Sequence, residues 1–125
     1  MTDESVKSLK KKLRKKFTGR RMSLDRQVAE NKSRQIHRHL FRLPEFTRSK
    51  TIHTYVSMNH RNEVDTLSLI NKAMEAGKRV VVPRIEPDIK LSHHQIDSTA
   101  DLERNEWGVP QPTGRDTVEP AELDL

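Results

Sequence analysis

At 125 residues, of which 32% are hydrophobic and 4% aromatic, the chain can form one domain with a thin core. It has no cysteine, which excludes disulfides, thiol catalysis and Cys-ligated zinc and suits a cytoplasmic setting; no apolar run reaches the length of a membrane span or a signal peptide. The net charge of +6 is unevenly spread: residues 1–50 carry 16 Lys and Arg against 5 Asp and Glu, a net of +11, while residues 51–125 carry 8 against 13, a net of −5. A basic front half implies an anionic partner: nucleic acid, a membrane surface or nucleotide phosphates.

The first helix is predicted to start at Thr2 or Asp3, either of which can cap it while Glu4 complements its positive end. Val6, Leu9, Leu13 and Phe17 form its apolar stripe. At about 100° per residue, Lys10 and Arg14 fall within roughly 40–80° of that stripe, and Lys11 and Lys15 point away. Lys10 and Arg14 therefore border whatever the helix packs on. As like charges four residues apart they repel, and an anion held between them offsets the repulsion. The alternative is a solvated basic face.

Ser23 can cap a second helix with the stripe Leu24, Val28, Ile36 and Leu40, ending at Leu43-Pro44. Arg26, Arg34, Arg38 and Arg42 share one side of it in part. Two basic helices joined by a short turn also permit a nucleic-acid-binding, non-enzymatic module of helix-turn-helix type. Against that, a strand-helix-strand pattern follows, and the basic half has few aromatic residues for base stacking.

That pattern spans Thr51 to Ile85 and is the most complete unit in the chain. Thr51-Ile-His-Thr-Tyr-Val-Ser57 reads as a strand with Ile52, Thr54 and Val56 on one face. Residues Asp65 to Gly77 read as a helix stopped by glycine, and Arg79-Val-Val-Val-Pro-Arg-Ile85 as a second strand. Three consecutive valines need cover on both faces, and a helical crossover is what parallel pairing requires. Ligands of open α/β sheets sit beyond the carboxyl ends of the strands, so the loop Met58-Asn-His-Arg-Asn-Glu-Val64 is the first candidate site.

Residues 90–96 form a further short strand, on which His93 and His94 face opposite sides and do not share a metal. The acidic stretch 97–122, with Gly108, Pro110, Pro112 and Gly114, reads as a loop and not an element. Within it, Trp107 serves either as a core plug or as the wall of a pocket for a planar ligand. Leu123-Asp-Leu125 looks like the entrance to another strand.

Lys10-Lys-Lys-Leu-Arg14, Leu43-Pro-Glu-Phe46, Tyr55-Val-Ser-Met58, Asn62-Glu-Val-Asp-Thr66, Gly77-Lys-Arg-Val-Val-Val-Pro-Arg84 and Trp107-Gly-Val-Pro-Gln-Pro112 occur in that order. Taken together, they resemble the 5-formyltetrahydrofolate cyclo-ligase (methenyltetrahydrofolate synthetase) family over nearly the whole chain. The resemblance implies an ATP- and Mg2+-dependent conversion of 5-formyltetrahydrofolate to 5,10-methenyltetrahydrofolate, with release of ADP and phosphate. It also implies a three-layer α/β sandwich with a mainly parallel sheet and the N-terminal helices packed on it.

Residue by residue, it implies that Lys10, Lys11, Lys12, Leu13 and Arg14 bind ATP, with Lys10 and Arg14 on the phosphates. Val56 and Glu63 then meet the folate, and Trp107 lines the pterin pocket. No catalytic residue and no metal ligand is assigned. Asp65, beside Thr66, is better explained as a helix cap than as a folate ligand. The glycine-rich run with a Tyr-Asp pair that in this family wraps the phosphates and serves magnesium is expected downstream of Leu125. The chain is accordingly expected to be the N-terminal part of one truncated domain, inactive alone. Its expected partners are small molecules, not nucleic acid or membrane.

Overall fold

The structure, a computed structural model, describes residues 2–88, 90–114 and 116–125. Helix α1 (Asp3–Met22) begins where expected: the Thr2 hydroxyl accepts from the Ser5 amide, with Asp3 and Glu4 in the first turn and Arg20 and Arg21 in the last. Its stripe, however, is not packed on the sheet. No α1 residue is buried, and Leu9, Leu13 and Phe17 are 48%, 42% and 54% exposed. Among the described residues it is the C-terminal end of α1 that is tied to the body by hydrogen bonds. Arg21 Nε donates to the Arg61 carbonyl (3.0 Å), and Asn62 Nδ2 donates to the carbonyls of Arg21 (3.1 Å) and Leu24 (3.0 Å).

Helix α2 (Arg26–Leu40) is capped by Asp25, whose carboxylate accepts from the Gln27 amide. Ser23, expected as this cap, instead closes α1, its hydroxyl donating to the Arg20 carbonyl. The packed face also differs from the expected one. Val28 and Ile36 are 41% and 46% exposed, while Ser33 and His37 are buried. The reason is that α2 lies against the polar head of the next long helix, where a hydroxyl and an imidazole find partners and a valine finds none. Leu40 and Phe41 then reach the core, and Phe41 meets the buried Phe46 of α3 (Pro44–Thr47) edge to face at 4.8 Å.

Strand β1 (Thr51–His53) pairs in parallel with β2 (Arg79–Ile85) across helix α4 (Thr66–Glu75). Helix α4 stops as the sequence indicates. Gly77 takes φ +82°, its amide bonding the Met74 carbonyl and that of Lys78 the Ala73 carbonyl. Strand β3 (Leu91–Ile96) pairs with β2 in the antiparallel sense, so the sheet β1-β2-β3 is mixed and not mainly parallel. The connection from Ile85 to Leu91 is too short for a crossover, and it closes as a hairpin with the Glu86 amide bonded to the Lys90 carbonyl (2.8 Å).

The core is one cluster of Phe46, Ile52, Val56, Ile70, Ala73, Val80, Val82 and Ile96. Residues 97–122, expected to hold no element, contain the antiparallel pair β4 (Leu102–Arg104) and β5 (Pro110–Pro112). The turn between them is made by Asn105, whose side-chain oxygen accepts from the Trp107 and Val109 amides, and by Gly108 at φ +77°. Arg115 of this stretch lies outside the described residues. Residues 123–125 run along the free edge of β1: the His53 amide bonds the Leu125 carbonyl (2.7 Å) and the Asp124 amide that of Thr51 (3.0 Å). The Asp124 carboxylate accepts from the Lys50 and Thr51 amides.

Ile70 is fully buried in the cluster, and Leu13 is 42% exposed on α1. Urea melts should therefore show a loss of about 2–5 kcal/mol for Ile70→Ala and less than about 0.5 kcal/mol for Leu13→Ala. Comparable losses would mean that α1 is packed.

Candidate functional site

The candidate site is the loop that leaves β1. After His53 only the Thr54 amide still bonds β2, at the Val81 carbonyl (3.1 Å). A buried reciprocal clasp takes over: the Ser57 amide donates to Thr66 Oγ1 (2.8 Å), the Thr66 amide donates to Ser57 Oγ (3.0 Å), and Thr66 Oγ1 donates to the Tyr55 carbonyl (2.8 Å). Both hydroxyls are 2% exposed or less, so each bond is made in a dry place where leaving it unmade costs about 1–3 kcal/mol. The clasp fixes both ends of residues 58–65 to the sheet and to α4.

Within the loop, residues 59–61 make one 3-10 turn that ends at Asn62 in the left-handed region, φ 55°. Asparagine tolerates that conformation, and here its side chain is also the tie to α1. The turn brings Glu63 back over Met58, and Glu63 Oε1 accepts from the Met58 amide at 2.7 Å. Oε2 has no hydrogen-bond partner among the described residues.

Asp65 closes the loop. Its carboxylate accepts from the Leu67 and Ser68 amides, from Ser68 Oγ and from Asn59 Nδ2. Partial burial pushes its pKa up, but the bonds from Ser68, Asn59 and Leu67 outweigh it and hold the carboxyl below the ordinary value of 3.8. Helix α2 grips the same residue by its main chain: the Asp65 amide donates to Ser33 Oγ (3.0 Å) and His37 Nε2 donates to the Asp65 carbonyl (2.6 Å).

Between α2, the loop and the head of α4 lies a cleft of about 270 Å³, lined among others by Arg26, Arg34, His37, Asn59, Glu63 and Lys72. Its half-buried carboxylates and exposed cations suit a polar organic ligand with both donors and acceptors. Tyr55 stands beside it, and its phenol is pushed up by burial and by Glu63 and drawn back by Arg21.

The structure brings only some of the sequence-predicted residues together. Glu63 lines the cleft, and Val56 lies buried behind the loop with its side chain in the core. Lys10, Lys11, Lys12, Leu13 and Arg14 lie on the exposed length of α1 and do not line the cleft. Trp107 is 66% exposed at the β4–β5 tip, where its indole lines a broad depression with Ile85, Pro87 and Gln111. Its hairpin nevertheless reaches the loop, since Arg104, Gly108 and Pro110 share a 230 Å³ cavity with Met58 and Asn59.

Asn59, Tyr55 and His37 carry geometry that the sequence reading did not assign. The polar positions of α2 that face inwards, Ser33 and His37 four residues apart, were the signal available for the last. Among the described residues no three His, Asp or Glu side chains are placed to hold a metal ion.

These features define an α/β domain with a mixed sheet and a polar cleft beside the loop that leaves its first strand. The pattern of the 5-formyltetrahydrofolate cyclo-ligase family matches residues 6–125, and the chain belongs to that family. A protein of Schizosaccharomyces pombe described as a probable 5-formyltetrahydrofolate cyclo-ligase is 31% identical over 88 residues, which are 70% of this chain and 43% of that protein. The solved structure of the 5,10-methenyltetrahydrofolate synthetase of Aquifex aeolicus superposes with a TM-score of 0.79 at 28% identity, covering 92% of this chain and 57% of that one. The chain thus spans about half the length of the relatives it matches.

Because the Asp65 carboxyl titrates lower in the folded chain than its ordinary 3.8, the stability it contributes is present above that value and is lost as pH falls through the folded-state pKa. Asp65→Asn should cost about 0.5–2 kcal/mol at neutral pH, as loss of a cap does, and should flatten the loss of stability below about pH 4. Denaturant melts of both proteins across pH 2–7 measure this. An unchanged acid limb would remove Asp65 from the account.

Proposed function

We propose that this chain carries the folate-facing part of an ATP-dependent cyclo-ligase, which converts 5-formyltetrahydrofolate to 5,10-methenyltetrahydrofolate with release of ADP and phosphate. The observation that carries the reading is the Glu63 carboxylate, fixed by the Met58 amide through one oxygen and leaving the other for the cleft. A carboxylate held this way accepts from the ring N–H donors of a pterin without first giving up rotational freedom, so less ordering is needed on binding.

Val56 fits the same role through its main chain. Its side chain is buried, while its own N–H and C=O make no hydrogen bond among the described residues. A ligand edge laid against the segment that follows β1 satisfies such groups. Trp107 belongs to the reading as a pterin-lining side chain only if the hairpin tip turns towards Asn59, since its indole now lines the Ile85 depression.

ATP is the second substrate in this reading. Lys10 and Arg14 stand one helical turn apart, about 6 Å along α1, exposed and without a carboxylate partner among the described residues. Phosphoryl transfer depends on such positioned cations, because the formyl oxygen attacks the γ-phosphate while charge builds on the phosphoryl oxygens. The bonds from Arg21 and Asn62 tie the C-terminal end of α1 to the Glu63 loop, so the helix that carries these cations is anchored beside the folate contacts.

Among the described residues no set of carboxylates and imidazoles is placed to hold magnesium. The reading extends to a three-layer sandwich, and the described residues do not themselves supply the metal and glycine-rich phosphate contacts that it calls for. Turnover by the chain alone is then absent.

Calorimetric titration tests the assignment. Glu63→Gln should weaken 5-formyltetrahydrofolate binding by about tenfold or more and leave ATP binding unchanged, as loss of a charged acceptor implies. Unchanged folate affinity in that variant would remove Glu63 from the site. A second titration concerns the helix: Lys10→Ala and Arg14→Ala should each weaken ATP by about 1–3 kcal/mol, with Lys11→Ala and Lys15→Ala nearly silent. Equal losses at all four positions would point to a diffuse basic face.

A further inference from the structure

The Glu63 cleft does not end at α4. It continues along α2 into a second depression of about 360 Å³, with Arg34, His37 and Lys72 common to both and with Arg38, Phe41 and Arg42 beyond them. The two parts differ in charge. Glu30, Glu63 and Asp65 line the cleft, whereas no carboxylate lines the second part.

Arg34, Arg38 and Arg42 follow at four-residue intervals, about 6 Å of rise per step along α2 and into the turn that ends it. Lys72 faces them from α4. None of these four cations has a carboxylate within salt-bridge distance among the described residues, although Arg26 on the same helix pairs with Glu30. Like charges spaced in this way repel one another, and a bound anion removes the repulsion.

The wall supplies a second, independent sign. His37 is 2% exposed and donates through Nε2 to the Asp65 carbonyl, yet its other ring nitrogen, Nδ1, is buried with no hydrogen-bond partner. Buried polar atoms are rarely left so, and this one belongs to the residue at the junction of the two depressions. With Nε2 donating, Nδ1 of the neutral ring is an acceptor, which the amide N–H of a ligand at the junction satisfies. Phe41, half-buried against Phe46, adds an apolar plate.

We propose that this trough is a subsite for the aminobenzoyl-glutamate end of the ligand whose ring end meets Glu63. The aryl group lies on Phe41, and the two glutamate carboxylates are held by Arg38, Arg42 and Lys72. This rests on the reading of Glu63 as the ring contact and extends it to the other end of the same molecule. Two carboxylates joined by a short aliphatic chain reach cations on successive helical turns, and an arginine fork takes a carboxylate through paired bonds.

Three probes separate the subsites in calorimetric titrations of the chain: 5-formyltetrahydrofolate, a 5-formyltetrahydropterin lacking the benzoylglutamate, and p-aminobenzoylglutamate alone. Arg38→Gln with Arg42→Gln should weaken the whole ligand by about tenfold or more, as loss of two charge-assisted contacts implies, abolish binding of p-aminobenzoylglutamate, and leave the pterin unchanged. Both arginines are exposed, so thermal melts should be unaltered. Glu63→Gln should do the reverse. If p-aminobenzoylglutamate binds and is lost in the double variant while no pterin binds, the ring assignment fails and the trough stands. The trough is overturned if the pterin weakens equally with the whole ligand. It is also overturned if p-aminobenzoylglutamate binds both proteins alike or neither, or if only duplex DNA binds the face with a steep salt dependence.

Discussion

Two buried hydroxyls, those of Ser57 and Thr66, determine where everything else in the site stands. Each accepts from the other residue's amide, and Thr66 also donates to the Tyr55 carbonyl. With the ladder to β2 ended at Thr54, these bonds are what keep the chain against the sheet as it turns. They leave eight residues between fixed ends, enough for one 3-10 turn and a return stroke that brings Glu63 onto the Met58 amide. A loop so anchored presents a carboxylate and unpaired main-chain groups in set positions.

The packing of α2 follows from the same constraint. The head of α4 carries main-chain groups at Asp65 that must be paired, and α2 pairs them with Ser33 and His37, not with an apolar stripe. The helix is thus held by polar contacts at its middle and by Leu40 and Phe41 at its end. That arrangement leaves Arg34, Arg38 and Arg42 on the flank beside Lys72, with no carboxylate partner among the described residues. Helix α1 is held still more lightly, by Arg21 and Asn62 alone among its side-chain ties, and its cations remain in solvent.

The legible parts of the sequence were those governed by local rules. The caps at Thr2 and Asp65, the glycine stop at Gly77, the break at Pro44 and the valine run of β2 all lie where propensity and periodicity put them. What was not legible depended on tertiary partners. The periodicity that picked Val28 and Ile36 could not register a helix face selected by hydrogen bonds to Asp65. The β2–β3 pairing turned antiparallel because of a short hairpin, and a sequence read for crossovers missed it.

The β4–β5 pair was hidden among prolines and acids because its turn rests on a single asparagine side chain and one glycine. Of the candidate site, the loop 58–64 was singled out from its place after a strand, and Glu63 within it from the family resemblance. Tyr55, Asn59 and His37 were not assigned, since their roles appear only once the loop is folded.

The loop after β1, together with the adjoining face of α2, is proposed here as a preset site for one folate molecule. Amide chemical-shift mapping by NMR during addition of 5-formyltetrahydrofolate tests it most directly. Saturable shifts are expected at residues 55–66 and along residues 34–42, with the first four turns of α1 unmoved. Shifts confined to α1, or spread evenly over the basic residues without saturation, would contradict it.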